Sequence, residues 1–180
     1  MPSHLQSWRF VEAVENAGIT SGCGNGNYCP ASSVTRQEIA VFLLKAKFGA
    51  AFTPAACTVP PFADVPVTSG FCPWIRELAV QGITGGCDTV NYCPGQVVTR
   101  AQMAVLLLRA REGSSYAPPP CTAPTFSDVP CSSGFSPWIY ELVRRGITSG
   151  CATGLYCPGS PNTRAQMAIF LATTFGLPLP

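Results

Sequence analysis

Ten cysteines are the side chains in this 180-residue chain with the most distinctive chemistry, and their spacing is regular. Cys23/Cys29, Cys87/Cys93 and Cys151/Cys157 each form a Cys-x5-Cys pair around a loop containing Gly or Asn, which can turn back and bring the two sulfurs together. Cys57/Cys72 and Cys121/Cys131 complete the set. An even number of thiols in a loop-rich chain with little charge suits an oxidising compartment. Zinc is the rival chemistry, but the spacing is not Cys-x2-Cys and the chain has a single histidine, His4, for a mixed site. Five local disulfides are therefore expected, with no metal and no cofactor.

A second chemical pattern is Thr-Arg, at Thr35-Arg36, Thr99-Arg100 and Thr163-Arg164. Each pair stands where a helix should begin. Free backbone N–H groups and the helix dipole favour an anion there, and a guanidinium can grip a carboxylate in a bidentate fork. The competing reading makes the three arginines solvated first-turn residues or partners of a nearby Glu. Trp74 and Trp138 could stack on sugar rings, but at the start of an amphipathic helix they read as core. Tyr28, Tyr92 and Tyr156, each next to a loop cysteine, are open to either role. Asp64 and Asp128 precede helices and read as caps; Glu77 and Glu141 read as solvated or paired. Nothing combines into a Ser/His/Asp set, a carboxylate pair at one site or a phosphate loop, so catalysis is not expected.

The elements that position these residues recur at one spacing. Gly18-Ile19-Thr20, Gly82-Ile83-Thr84 and Gly146-Ile147-Thr148 lie 64 residues apart, and the loop cysteines, tyrosines and Thr-Arg pairs keep the same register. Such a period argues for a repeat architecture. Trp74, Ile75, Leu78 and Ala79 lie at helical spacing, as do Trp138, Ile139, Leu142 and Val143, with Phe10, Val11 and Val14 in the first copy; the glycine of the Gly-Ile-Thr run stops that helix. A second helix carries Ile39, Phe42, Leu43 and Ala46, then Met103, Leu106, Leu107 and Ala110, then Met167, Phe170 and Leu171. Capping boxes, Thr35-x-x-Glu38, Thr99-x-x-Gln102 and Thr163-x-x-Gln166, fix its start.

The expected fold is mainly α and disulfide-rich: three helix-loop-helix repeats, residues 1–56, 57–120 and 121–180, sharing one core in a pseudo-threefold arrangement. Copy one is incomplete. Val65-Pro66 and Val129-Pro130 align with Met1-Pro2, so Phe62-x-Asp64 and Phe126-x-Asp128 have no counterpart there. Ser3 and Trp8 stand at the positions of Cys131 and Cys72, as expected if bonded cysteines are lost together.

Composition narrows the partners. Charged residues make up 11% of the chain and the net charge is +2, too weak a field to collect nucleic acid phosphates. Apolar runs such as Ile39 to Leu44 fall far short of the roughly 20 residues that cross a bilayer. Met1 to Glu15 has no signal-peptide pattern, so residue 1 is not expected to open the native precursor.

The run Phe126-Ser-Asp128-Val-Pro, Trp138-Ile-x-Glu141-Leu, Gly146-Ile-Thr-x-Gly150 and Thr163-Arg164-Ala-Gln166-Met-Ala resembles an S-layer homology repeat, and copy two matches equally well. The resemblance implies a spindle of three repeats on a bacterial cell surface. Its grooves would hold an anionic, often pyruvylated, wall polysaccharide, with Arg36, Arg100 and Arg164 and the adjoining Thr35, Thr99 and Thr163 at the ligand. Gln102 and Gln166 depart from the family's Thr-Arg-Ala-Glu, and the cysteine pairs are additional. The alternative is a self-assembling subunit of an extracellular filament or surface layer, since low surface charge leaves little repulsion between copies.

Overall fold

The computed structural model describes residues 7–180; the readings that fall on Met1, Pro2, Ser3 and His4 lie outside that range. It contains six α-helices, and no strand among the described residues. Three are short: α1 (Trp8–Asn16), α3 (Cys72–Val80) and α5 (Ser136–Arg144). Three are longer: α2 (Arg36–Phe48), α4 (Arg100–Glu112) and α6 (Arg164–Phe175). No helix among the described residues is long and apolar enough to cross a membrane.

The long helices begin as their sequences require. Thr35, Thr99 and Thr163 are extended N-caps whose hydroxyls accept from the backbone N–H three residues on, while Glu38, Gln102 and Gln166 accept from the cap's own N–H. Both halves of the capping box are thus made each time. The short helices have no side-chain cap, and α3 and α5 start with Pro in the first turn, where its missing N–H costs nothing. Gly18, Gly82 and Gly146 follow them with φ of 66°, 66° and 68°, the left-handed conformation that ends a helix.

The long helices touch one another pairwise, and each short helix packs on a long one: α3 on α2, α5 on α4 and α1 on α6. The packing partner of a short helix therefore lies in the preceding copy of the sequence repeat, and the last long helix takes the first short one. Helix α1 meets the C-terminal segment accordingly, with Arg9 Nε donating to the Pro180 carbonyl at 2.7 Å. Ile39, Leu43, Met103, Leu107, Met167, Phe170 and Leu171 are fully buried, matching the stripes expected for the second helices. Leu44, Leu108 and Ala168 are fully buried too, so these helices are enclosed on more sides than one amphipathic stripe implies.

A ring of backbone hydrogen bonds closes the end where the long helices begin. The N–H of Val34 donates to the carbonyl of Asn162, that of Asn162 to Val98, and that of Val98 to Val34, at 2.9, 2.8 and 2.9 Å. Val34, Val98 and Asn162 are all fully buried.

All five disulfides pair as the spacing predicts: Cys23–Cys29, Cys57–Cys72, Cys87–Cys93, Cys121–Cys131 and Cys151–Cys157. Cys29, Cys93 and Cys157 have φ between 56° and 59°, a conformation uncommon for a residue with a Cβ. The bridge and the tight loop hold it: the N–H of Cys23, Cys87 and Cys151 each donates, at 2.8 Å, to the carbonyl four residues on.

Candidate functional site

Arg36, Arg100 and Arg164 are buried rather than solvated, and among the described residues none of them forms an ion pair with Glu. They are 5%, 1% and 3% exposed, and each is locked to a tyrosine of another copy. Arg36 Nε donates to the Tyr92 carbonyl at 2.6 Å while the Tyr92 hydroxyl donates to the Arg36 carbonyl at 2.6 Å. Arg100 and Tyr156 repeat the exchange at 2.8 and 3.0 Å, and Arg164 and Tyr28 at 2.8 and 3.0 Å. Each guanidinium carbon also lies 4.7–4.8 Å from its tyrosine ring centroid. A buried cation needs such compensation, because desolvation otherwise favours losing the charge. Burial indeed pulls Arg36 and Arg100 below the usual arginine value, with Tyr92 and Asp64, or Tyr156 and Asp128, opposing it. Burial likewise pushes the Tyr28 and Tyr156 phenols up to about 12, and raises Tyr92 further.

Asp64 and Asp128 are not helix caps. Asp64 accepts from the backbone N–H of Tyr92 and Cys93 at 2.8 and 2.7 Å, and Asp128 from those of Tyr156 and Cys157 at 2.9 and 2.7 Å. Two adjacent N–H groups, turned the same way by the left-handed cysteine, form a cradle that suits a carboxylate better than a helix start several residues away. Glu141 departs from expectation in burial. It is 4% exposed and pairs with Arg144 and Arg145, while Tyr116 donates to it at 2.8 Å. Trp74 and Trp138 are half-buried against the core, edge-on to Phe52 and Tyr116.

Four cavities lie beside the Gly-Ile-Thr runs, one of them, of about 370 Å³, walled by Arg111, Arg145, Ile147, Thr173 and Thr174; the other three each include the threonine of such a run. The first, of about 550 Å³, has Thr20, Glu38, Lys45, Phe71 and Arg164 in its wall, with Glu15 nearby. In the second, of about 320 Å³, the corresponding residues are Thr84, Gln102, Arg109, Phe135 and Arg36. The third, of about 630 Å³, has Thr148, Ile169 and Thr173 with Phe10, Phe126 and Val143. Thr35, Thr99 and Thr163 are occupied as helix caps. Arg36 and Arg164 each reach one cavity, whereas Arg100 is the most deeply buried of the three.

Lys45 and Arg109 line two of these cavities, and the motif reading passes over both. Their signal was available, since positions 45, 109 and 173 keep the 64-residue spacing and read Lys, Arg and Thr. Arg109 lies 5.4 Å from the Trp138 ring centroid, and its buried Nε has no hydrogen-bond partner among the described residues. The second cavity thus has two guanidinium groups, two amides (Gln96 and Gln102) and a 40%-exposed Phe135, with no carboxylate in its wall. The first balances Arg164 and Lys45 against Glu15 and Glu38. The third is lined mostly by apolar side chains and hydroxyls.

Residues 1–40 match the S-layer homology domain family. Relatives along the chain agree with it. The chain is 23% identical over 171 residues, 91% of its length, to the surface-layer 125 kDa protein of Lysinibacillus sphaericus, covering 14% of that protein. It is 26% identical over 102 residues, 57% of its length, to the middle cell wall protein of Brevibacillus brevis, covering 10%. An endoglucanase of Bacillus sp. strain KSM-635 is 32% identical over 114 residues, 60% of this chain and 11% of the enzyme. The chain spans about a seventh or less of each of these relatives.

Proposed function

We propose that this chain is a non-enzymatic module of the bacterial cell surface that anchors by non-covalent binding of an anionic wall polysaccharide. In this reading residues 1–56, 57–120 and 121–180 are three S-layer homology repeats about a pseudo-threefold axis. The 64-residue spacing, the pairwise contact of α2, α4 and α6 and the cyclic Val34–Asn162–Val98 ring support that arrangement. The family match over residues 1–40 and the surface-layer and cell-wall relatives support an extracellular location. That the chain covers only 11% of the endoglucanase it resembles fits a shared anchoring segment, with the enzyme's chemistry elsewhere.

The observation that carries the ligand class is the second cavity, where Arg36 and Arg109 flank a carboxylate-free wall. An acidic sugar can place its carboxylate on Arg109, its hydroxyls on Gln96 and Gln102 and a ring face on Phe135. Arg36 and Arg164 form part of the cavity walls in this reading, while Arg100 and the capping Thr35, Thr99 and Thr163 hold the helix starts behind them. The arginines' exchange with tyrosine makes them poor test positions, because truncation unpairs buried groups. Arg109→Met keeps an apolar stem on Trp138 and removes the charge.

Binding to purified acidic wall polysaccharide is to be measured by calorimetry and by co-sedimentation with isolated walls. Lys45→Ala/Arg109→Met should lose at least about tenfold in affinity while the unfolding midpoint stays near wild type, since a charge-assisted hydrogen bond is worth roughly 1.5 to 3 kcal/mol. Binding should also weaken with added salt. Unchanged binding by the folded double variant, or equal binding to polysaccharide stripped of its acidic groups, would refute the proposal. Filaments formed by the chain alone would favour self-assembly instead.

A further inference from the structure

Each Cys-x5-Cys bridge sits at a joint between copies, because the segment that follows it caps a long helix of another copy. After Cys93, the Gln96 and Pro94 carbonyls accept from the N–H groups of Arg36 and Gln37, the first residues of α2, at 2.8 and 3.0 Å. Ser160 and Pro158 do the same for Arg100 and Ala101 of α4, at 3.0 Å each, and Ser32 and Pro30 for Arg164 and Ala165 of α6, at 2.8 and 3.0 Å. The first N–H groups of a helix have no partner inside it, so these carbonyls help to hold its start.

The Cys87–Cys93 joint is also part of the second cavity, whose wall includes Gly86, Cys87, Gln96 and Arg36. Cys93 is held at φ 59°, and in that conformation its N–H and that of Tyr92 converge on Asp64 while the Tyr92 carbonyl takes Arg36 Nε. A residue with a Cβ disfavours this left-handed region, so the bridge to Cys87 opposes its return to an ordinary φ. Access differs among the bridges. Of the ten cysteines Cys23 and Cys87 are exposed, Cys72 is fully buried and the other seven are half-buried. Exchange requires that a thiolate reach a sulfur, which favours the bridges of Cys23 and Cys87. Of these two cysteines, only Cys87 lies in the wall of a cavity described above.

We propose that Cys87–Cys93 is a thiol–disulfide exchange site whose reduction by a small dithiol opens the wall of the second cavity and leaves the helical core folded. A thiolate of the dithiol attacks the exposed Cys87 sulfur, and Cys93 leaves as a thiolate. The second thiolate of the dithiol then attacks the dithiol-derived sulfur of the mixed disulfide, closing a cyclic disulfide as Cys87 leaves in turn. Two electrons pass from the dithiol to the bridge, and each freed cysteine takes a proton at neutral pH. Cys93 relaxes to an ordinary φ, the two N–H groups part from Asp64, and the carbonyls of Tyr92, Pro94 and Gln96 move off Arg36 and Gln37. The core residues Leu43, Met103 and Leu107 belong to the long helices and not to this loop. The opening does not depend on which ligand fills the cavity.

The test is limited reduction of the intact oxidised chain with dithiothreitol at neutral pH, trapped with iodoacetamide and mapped by peptide mass, with amide hydrogen exchange read by NMR. Cys23, Cys29, Cys87 and Cys93 should take the label before Cys57 and Cys72. In chain cut at Cys87–Cys93, the amides of Arg36, Gln37, Tyr92 and Cys93 should exchange at least about tenfold faster, having lost their acceptors, while those of Leu43 and Leu107 keep their protection. Reoxidation of chain reduced without the trap should restore slow exchange. Cys87→Ser/Cys93→Ser should show the same fast amides without reductant, and Cys23→Ser/Cys29→Ser should leave them slow. Earlier labelling of Cys57 and Cys72, or unchanged exchange at Arg36 and Tyr92 once Cys87–Cys93 is cut, would overturn the inference. So would loss of protection throughout the core, in the reduced chain or in the Cys87→Ser/Cys93→Ser variant, because the bridge would then hold the whole fold rather than one wall.

Discussion

Asn162 stands where the other two copies have Val34 and Val98, and replacing it with valine should stabilise the protein. All three residues are fully buried, and their backbones exchange hydrogen bonds around one ring. The two valines bury only hydrocarbon there. Asn162 buries an amide whose Nδ2 and Oδ1 have no hydrogen-bond partner among the described residues. A buried polar group left unsatisfied costs about 1 to 3 kcal/mol, and valine adds favourable transfer of its own. It also restores an apolar residue just before the Thr163 cap, five residues ahead of Met167 in the hydrophobic-staple pattern that Val34 with Ile39 and Val98 with Met103 already follow. Asn162→Val should therefore gain about 1 to 3 kcal/mol, read as a higher urea midpoint with an unchanged slope under non-reducing conditions. The reciprocal change, Val98→Asn, should lose at least as much. If Asn162→Val were destabilising, the amide would have a partner in solution, such as an internal water, and the reasoning would fail.

Three further changes follow from the tyrosine clasps and the disulfides. The phenols of Tyr28 and Tyr156 titrate near 12 when folded, against about 10 when unfolded, and Tyr92 is raised further. A raised folded value gives stability that is complete below pH about 10 and lost as pH climbs towards about 12. The urea midpoint should fall across that window as phenolate absorbance appears; a flat midpoint would contradict the clasp. Arg100→Met should cost about 1.5 to 3 kcal/mol in unfolding free energy, because the Tyr156 carbonyl loses its charged donor. Cys57→Ala/Cys72→Ala, opening a bridge of sequence separation 15, should cost about 3 kcal/mol by the chain-entropy estimate, again read from urea unfolding.

The helices, their caps and all five cysteine pairs were legible in the sequence because each rests on local signals: apolar spacing, a Thr with Glu or Gln three residues on, and short loops between thiols. Long-range partners were not. Arg36 and Tyr92 are 56 residues apart, and nothing in either residue's neighbourhood announces that they exchange hydrogen bonds. Asp64 illustrates the same limit. Its place before a helix suggested a cap, but its partners lie 28 and 29 residues downstream, on a loop whose left-handed cysteine aims two N–H groups together. The pairing of short with long helices was likewise not legible. The sequence repeat pairs a short helix with the long helix that follows it, whereas burial pairs it with the one before, as in α3 on α2.

The positions that never vary among the copies and those that do divide the labour of the molecule. Arg36, Arg100 and Arg164 are constant, as are Tyr28, Tyr92 and Tyr156, and constancy follows from the clasp: a lysine lacks the planar fork and the flat face that lies on the tyrosine ring. The cavity walls tolerate change within limits set by their local partners: either Glu or Gln can accept from the N-cap N–H, and Lys45 and Arg109 rest on different neighbours, the Gly18 carbonyl and the Trp138 ring. Positions 45, 109 and 173 run Lys, Arg, Thr, and positions 38, 102 and 166 run Glu, Gln, Gln. Charge thus passes from balanced in the first cavity, to cationic in the second, to neutral in the third, whose neighbour across Ile147 and Thr173 is walled by Arg111 and Arg145, both held by Glu112. If the cavities bind an acidic polymer, they must do so unequally, and the second dominates. Affinity should then follow Arg109 far more than Lys45, while Thr173→Arg should add binding at the third cavity.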